Sequence, residues 1–211
     1  MKKIVIIGAG GFGREVEWLI ERINENNPTW ELIGYVDDNV EIGKKVGNSK
    51  VICNTKELLS HSDLSVAIAI GNSKIREKMF DKIKSNTRLS FPNLIDPTVI
   101  CGNNKFGMGN IICARTILTV NIELGDFNII NLNCTLGHDD IIHNFITIYP
   151  NVNVSGNVTI ENRVEIGTGT QIIQQKNICS DVVIGASACI VKDITETGTY
   201  IGIPAKKLLK K

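Results

Sequence analysis

The sequence predicts two architectures in one chain: an α/β, Rossmann-like half domain followed by a left-handed parallel β-helix of hexapeptide repeats. Three observations predict this. Between residues 100 and 190 an aliphatic or aromatic residue recurs at every sixth position, through Phe106, Ile112 and Leu118 to Ile184 and Ile190. A helix shows apolar spacings of three and four, and a half-buried strand shows spacings of two, so a period of six fits neither. It fits a chain that turns a corner every six residues, with three sides closing one coil of 18 residues. The second observation is Gly8-Ala9-Gly10-Gly11-Phe12-Gly13, which reads G-x-G-x-x-G between a β-branched run and a helical pattern. The third is Phe91-Pro92 and Asp96-Pro97, which punctuate the change from one pattern to the other.

The elements follow in order. Residues 2–7 are a short β-branched strand, and residues 14–23 carry a helical pattern after the glycines. A second strand, 30–36, ends at Asp37-Asp38; Thr55 opens a short helix through residue 59; and 64–70 form a third buried strand. Asn72 or Ser73 then caps a helix with apolar positions at Ile75, Met79, Phe80 and Ile83. This alternation is that of a small parallel sheet with covering helices. The expected domains are 1–92, 93–196 for the β-helix, and 197–211 for a last strand and a short basic helix.

Composition narrows the function classes. Lys plus Arg is 23 and Asp plus Glu is 22, a net charge of +1, which offers neither the basic face of a nucleic-acid binder nor a polybasic membrane anchor. No apolar run reaches the length of a membrane-spanning helix. The apolar start of the chain runs into a glycine loop without a cleavage pattern, so it reads as a first strand and not a signal peptide. Cys53, Cys101, Cys113, Cys134, Cys179 and Cys189 contain no CxxC pair, so the expectation is reduced, structural cysteines in a cytoplasmic protein without a bound metal.

In the glycine loop, absent Cβ atoms let a phosphate approach the backbone at a helix N-terminus. Asp37, 24 residues beyond Gly13, stands where an acid accepts from a ribose or a base. About 90 residues supply little more than one mononucleotide half, which favours a nucleoside diphosphate over NAD. Gly71-Asn72-Ser73 ends the third strand at the same sheet edge, and Arg76, one helical turn on, is a candidate for the phosphates. Among the three histidines, His138 lies near a coil corner in Leu136-Gly137-His138-Asp139-Asp140, where imidazole can act as a general base and Asp139 or Asp140 can orient it. His61 reads as a surface residue, and a His138–His143 metal pair lacks a converging spacing.

The hexapeptide phase, His138-Asp139 and the closing Gly202-Ile203-Pro204-Ala205-Lys206 resemble the hexapeptide acyltransferases. With Gly34-Tyr35-Val36-Asp37-Asp38-Asn39, Ala69-Ile70-Gly71-Asn72 and Phe91-Pro92-Asn93-Leu94-Ile95-Asp96-Pro97, the chain is similar to bacterial sugar acyltransferases of the sialic-acid O-acetyltransferase type. That group includes N-acetyltransferases of nucleotide-linked 4-amino-4,6-dideoxysugars, which serve surface glycan and lipopolysaccharide biosynthesis. The resemblance implies a homotrimer with acetyl-CoA along the β-helix at a subunit interface. It implies a nucleotide-sugar on the N-terminal domain, held by Gly8, Gly10, Gly13, Asp37 and Asp38, with Asn131 near the sugar. His138 matches the base, Asp139 its acidic companion, and Gly156 a backbone N–H that receives the thioester carbonyl. Coenzyme A is expected along Thr147, Gly167, Thr168, Gly185, Ala186 and Pro204. Thr147 replaces a second histidine of some members, so that histidine's role is not carried over. Ile95-Asp96-Pro97 departs from the usual Ile-His-Pro, and Ile173-Gln174-Gln175-Lys176 departs from a glycine-rich coil. The alternatives are sugar O-acetylation, or a non-catalytic nucleotide-sugar or NAD-binding module.

Overall fold

The structure, a computed structural model, describes residues 1–209. It divides into a unit of Met1–Pro97 and a second unit from Thr98 onward. In the first, strand β1 (Lys2–Ile7) leads through the glycines into helix α1 (Gly11–Asn26) and then into β2 (Trp30–Val36). A hairpin of β3 (Lys45–Val46) and β4 (Ser49–Cys53) precedes α2 (Thr55–Leu58), β5 (Leu64–Ile68), α3 (Ser73–Ile83), β6 (Leu89–Ser90) and β7 (Leu94–Ile95). The sheet order is β3-β4-β2-β1-β5-β6, parallel except for the β3–β4 hairpin. β1 is central, and Ile4, Val5, Ile6 and Ile7 are buried, as a parallel strand covered on both faces requires.

The three expected strands are present. The β3–β4 hairpin and β6 were not expected, because strands of two to five residues carry too few positions for a readable period. Asn72 is the α3 cap, its side chain accepting from Ile75 N–H at 3.0 Å. Ile75 itself is 54% exposed and is not a core position, whereas Ile83 is fully buried.

The first unit ends at Pro97, five residues past the expected border at 92. β7 packs on α1, where Leu94 is fully buried. The Asp96 carboxylate, 1% exposed, accepts from Arg22 Nε at 2.5 Å and Nη2 at 3.2 Å. Asp96→Ala is therefore expected to cost about 2–4 kcal/mol, because it strands a partly buried guanidinium. Thermal unfolding reads this as a midpoint lower by about 2–4 °C per kcal/mol.

The second unit is the predicted coil. Ile112, Ile130, Ile148, Ile166 and Ile184 stack on a first face; Leu118, Leu136, Val154, Ile172 and Ile190 on a second; Phe106, Leu124, Ile142, Ile160 and Ile178 on a third. From Ile112 onward these inward residues are all buried. Between them, one residue per side takes positive φ, among them Arg115, Asn121, Phe127, Asn133, Asp139 and Asn157. Asn and Asp tolerate this left-handed conformation best among residues bearing a Cβ. Phe127 and Phe145, corner residues of consecutive coils, stack at 5.3 Å.

Two expectations are corrected. Ile100 is not in the inward phase: it aligns with outward Ile117 while Cys101 aligns with Leu118, and it is 64% exposed. The chain therefore gives up one residue between Cys101 and Phe106. The tail is not helical either. Gly198–Ile201 adds a parallel strand to the first face beside Val182–Ile184, and Lys206–Lys207 folds back antiparallel on it. Strand pairing satisfies backbone groups that the last coil would otherwise leave open. Lys210 and Lys211 of the expected basic tail lie outside the described residues.

Candidate active site

The glycine loop is built by close packing at two of its glycines. Gly8 has φ +105°, and a Cβ there would meet the Ala69 carbonyl at 2.8 Å. A Cβ on Gly13 would lie 2.0 Å from the Gly8 carbonyl, so the first turn of α1 rests directly on the end of β1. Gly10 differs: it caps α1 without a side chain, and a Cβ would meet nothing within 4 Å. The packing explanation thus covers Gly8 and Gly13, while Gly10 leaves open space before a helix N-terminus.

Around this loop the expected polar residues divide. Asp37 spends both oxygens on the backbone, accepting from Ala9 N–H and Asn39 N–H, each at 2.8 Å. These bonds hold the loop, and each carboxylate oxygen keeps a further acceptor site. Arg76 is a correction: it is 1% exposed, and Nη1 donates to the Ile70 carbonyl at 2.6 Å and the Gly71 carbonyl at 3.0 Å. The guanidinium braces the turn after β5 instead of reaching a phosphate.

Asp38 faces an open cleft of about 500 Å³ with Asn54, Thr55, Lys56, Leu59 and Lys82. Burial works to raise its pKa, but the Thr55 hydrogen bonds and Lys82, 3.3 Å away, hold the carboxyl below its ordinary range. Asp38→Ala is expected to raise the KM for the sugar substrate about tenfold, the effect of one charge-assisted hydrogen bond. The KM for the acyl donor should stay within about twofold, on the reading that the two ligands use different units. Steady-state kinetics with each substrate varied separately checks this.

On the second unit, His138 and Asp139 occupy the corner between the second and third faces. The left-handed φ of +62° at Asp139 turns its carboxylate back, and Oδ2 meets His138 Nδ1 at 2.7 Å. Asn121, one coil earlier, donates to Asp139 Oδ1 at 3.1 Å. The His138 bond foremost, then Asn121, holds the Asp139 carboxyl below its ordinary range. An ionised carboxylate only accepts, so Nδ1 carries the hydrogen, and in the neutral ring Nε2 is the nitrogen with the lone pair. The two side chains remain 66% and 52% exposed.

Gly156 is the floor beneath the ring. A Cβ there would come within 2.6 Å of Nε2, 2.7 Å of Cε1 and 2.8 Å of Cδ2. Its carbonyl accepts from Gln175 N–H, while its own N–H has no partner among the described residues. A base nitrogen therefore neighbours a residue whose backbone donor is free, and such a base and donor are what acyl transfer needs. His143, five residues on, is at another corner, 3.7 Å from Glu161.

The other expected residues do not converge on this corner within one chain. Asn131, Gly167, Thr168, Gly185 and Ala186 follow inward residues of the first face and lie at the corner between the first and second. Asn131 is buried, its Oδ1 accepting from Leu132 N–H at 2.7 Å. A Cβ on Gly167 would lie 2.5 Å from Ala186 N, so these glycines permit coil-on-coil stacking. Thr147 is buried in the first face, and Pro204 is exposed in the tail turn. Two contributors were missed in the sequence, Asn121 and Lys82. Asn121 was legible in principle, because it stands 18 residues before Asp139; Lys82 had no sequence signal.

Residues 3–83 match the PglD N-terminal domain family. The GDP-perosamine N-acetyltransferase of Escherichia coli O157:H7 is 30% identical over 189 residues, spanning 86% of this chain and 82% of that protein. The acetyltransferase domain of PglB from Neisseria gonorrhoeae FA1090, solved in complex with acetyl coenzyme A, matches with a TM-score of 0.88 at 31% identity, over 98% of this chain and 99% of that one. PerB from Caulobacter crescentus, solved with CoA and GDP-perosamine, shares the fold at a TM-score of 0.80 and 23% identity, over 98% and 97% of the two chains. The solenoid and its histidine corner define a hexapeptide-repeat acyltransferase, and the chain belongs to the sugar N-acetyltransferase family that includes GDP-perosamine N-acetyltransferase.

Proposed function

We propose that this enzyme transfers the acetyl group of acetyl-CoA to the C4 amine of a nucleotide-linked 4-amino-4,6-dideoxysugar, in the cytoplasm, for a bacterial surface glycan. The observation that carries the reading is the His138 corner. Asp139 fixes the ring, Nε2 is free, and Gly156, whose N–H has no partner among the described residues, packs directly beneath it. Identity with the E. coli and Neisseria proteins supports the substrate classes: their descriptions name GDP-perosamine for one and acetyl coenzyme A for the other. Among the described residues no helix is long and apolar enough to cross a membrane, and no group of side chains could hold a metal ion.

The chemistry follows from these groups. The sugar amine attacks the thioester carbonyl, forming the C–N bond, and its proton passes to His138 Nε2. Asp139 stabilises the resulting imidazolium. The Gly156 N–H donates to the oxygen that gains charge. When the carbonyl re-forms, the C–S bond breaks and the proton on Nε2 goes to the coenzyme A thiolate. The nucleotide is bound by the Gly10 opening and the Asp38 cleft, while Asp37 and Arg76 keep that edge of the sheet rigid.

The enzyme acts as a homotrimer in this reading. The candidate acyl-donor residues split between two corners of one chain, and the His138 side chain is open to solvent, so a neighbouring subunit would complete the site. Exposed Ile117, Val120 and Ile141, around the corner between the second and third faces, give the coil apolar side chains for such packing. Release of free thiol from acetyl-CoA, measured across GDP-, UDP- and dTDP-linked amino sugars, tests the function. Turnover with a 4-amino-4,6-dideoxysugar nucleotide is expected. Turnover confined to hydroxyl acceptors, or tight binding of NAD to the first unit, would overturn it. Sedimentation showing a fully active monomer would overturn the assembly.

A further inference from the structure

The residue two positions before each inward side chain sits at a coil corner, and the asparagines at this position share one hydrogen-bonding pattern. Asn104 accepts from the N–H of Ile122 at 2.8 Å and donates to the carbonyl of Thr119 at 3.2 Å. Asn110 accepts from Asn128 N–H and donates to the Gly125 carbonyl at 2.9 Å. Asn128 accepts from Ile146 N–H and donates to the His143 carbonyl at 2.8 Å. In each case the acceptor arm takes the N–H 18 residues on, and the donor arm meets the carbonyl 15 residues on. Thr116, Cys134 and Thr170 keep only the donor arm, to the carbonyls of Asn131, Tyr149 and Gly185. Where the side chain has no donor, it is aliphatic and fully buried, as at Val152, Val158 and Val164.

Asp140 departs from this pattern in one atom. It is fully buried, and its Oδ1 accepts from Val158 N–H at 2.9 Å, the acceptor arm of the pattern. Its Oδ2 is the buried side-chain oxygen or nitrogen without a partner among the described residues. The register aims this arm at the carbonyl 15 residues on, that of Ser155, which accepts no hydrogen bond among the described residues. Two oxygens cannot satisfy each other unless one carries a proton. The Ser155 carbonyl belongs to the same peptide unit as the N–H of Gly156, the residue packed beneath the His138 ring.

We propose that Asp140 is held as a neutral carboxylic acid, donates its Oδ2 hydrogen to the Ser155 carbonyl, and thereby positions and polarises the Ser155–Gly156 peptide whose N–H serves the acyl-transfer site. Hydrogen bonds in series strengthen one another, so a donor on the carbonyl makes the N–H of that peptide a better donor. Burial first of all pushes the Asp140 carboxyl up to about 7, against an ordinary 3.8; the Val158 N–H, the nearby Gly137 N–H, which donates to the Val154 carbonyl, and His138 lower it, and Asp139 raises it. His138 and Asp139 are the titratable groups that face it. Loss of the proton turns the arm toward Ser155 from attractive to repulsive. Asp140 is a positioning residue. The inference rests on the reading of His138 and Gly156 as the reacting corner.

The sign of the pH effect follows. The folded pKa is raised, so between about pH 4 and about pH 7 the unfolded chain has lost a proton that the folded chain keeps. Stability contributed by this site declines as pH rises through that window and is level above it. Asp140→Asn carries the same two arms without an ionisation, so its thermal midpoint should exceed that of the wild type at about pH 8.5 and approach it near about pH 4.

The test compares wild type, Asp140→Asn and Asp140→Val; valine already occupies this position at Val152, Val158 and Val164, which keeps the coil intact. Asp140→Val is expected to lower kcat about tenfold, the worth of one hydrogen bond, with both KM values within about threefold. Asp140→Asn should recover most of that rate and lose the high-pH decline of kcat that is expected of the wild type above about pH 7. Difference infrared spectroscopy of the intact enzyme should show a protonated-carboxyl stretch at about pH 6 that fades by about pH 8.5 and is absent from Asp140→Asn. Absence of that band in the wild type at about pH 6 would overturn the proposal, as would equal loss of kcat in the two variants. The band does not depend on turnover: if it is present while His138→Ala keeps a normal rate, the acyl-transfer assignment has failed and the buried acid stands.

Discussion

His138→Ala is expected to lower kcat by about 10²–10⁴-fold, the span for loss of a positioned general base, with the KM of each substrate within about threefold. The fold should survive, because the ring is largely exposed and the local backbone bond, from Asn157 N–H to the His138 carbonyl, does not involve the side chain. Asp139→Asn should give an intermediate loss. The amide still contacts the ring but no longer offers a charge to the imidazolium that forms in the reaction. His143→Ala should change kcat by less than about twofold, since its contact with Glu161 is long and at a separate corner. Steady-state kinetics on purified variants decides the matter. A near-normal kcat for His138→Ala would leave only the Gly156 N–H and substrate positioning to account for the rate.

Gly156→Ala is expected to lower kcat about 100-fold by displacing that ring, since a misplacement near 1 Å is enough for such a loss. The added methyl would occupy space within 2.6–2.8 Å of three ring atoms, which is closer than carbon atoms approach without something moving. Gly156 does not adopt a positive φ, so alanine meets no backbone penalty there and the effect belongs to the ring. A double-variant cycle separates the causes. In the His138→Ala background the space is empty, and Gly156→Ala should then cost less than about threefold. Additive losses in the cycle would show that the methyl acts on the backbone donor and not on the histidine.

The period of six was sufficient to place most of the solenoid. It is local, repeated and enforced by burial, so each inward aliphatic residue declares its face without help from distant sequence. Its one failure, Ile100, lies at the first coil, where a one-residue slip moves the side chain outward. The strand–glycine–helix context likewise marked the first unit. The hairpin at Lys45–Val46 and Ser49–Cys53 and the folded-back tail stayed hidden, because short strands are selected by the neighbours they pair with and not by their own pattern.

The site was legible to different depths. His138 and Asp139 adjoin in sequence, and a corner conformation brings them together, so that pair was visible by itself. The sequence also determined the 18-residue step that sets Gly156 beside His138, whereas the close packing of Gly8 and Gly13 came from the structure. Only the tertiary structure decided what the charged groups do. Asp37 and Arg76 had the right type and spacing for ligand contacts, yet both are engaged by backbone groups of their own unit. Asn121 supports Asp139 from the previous coil, and Asp140 is buried beneath the corner that Asp139 faces outward from. The physical reason is common to all of these. Hydrophobic burial follows a periodic rule along the chain, whereas a hydrogen-bond partner is chosen by proximity in space, and a carboxylate or guanidinium reveals its role only when its nearest donor or acceptor is known.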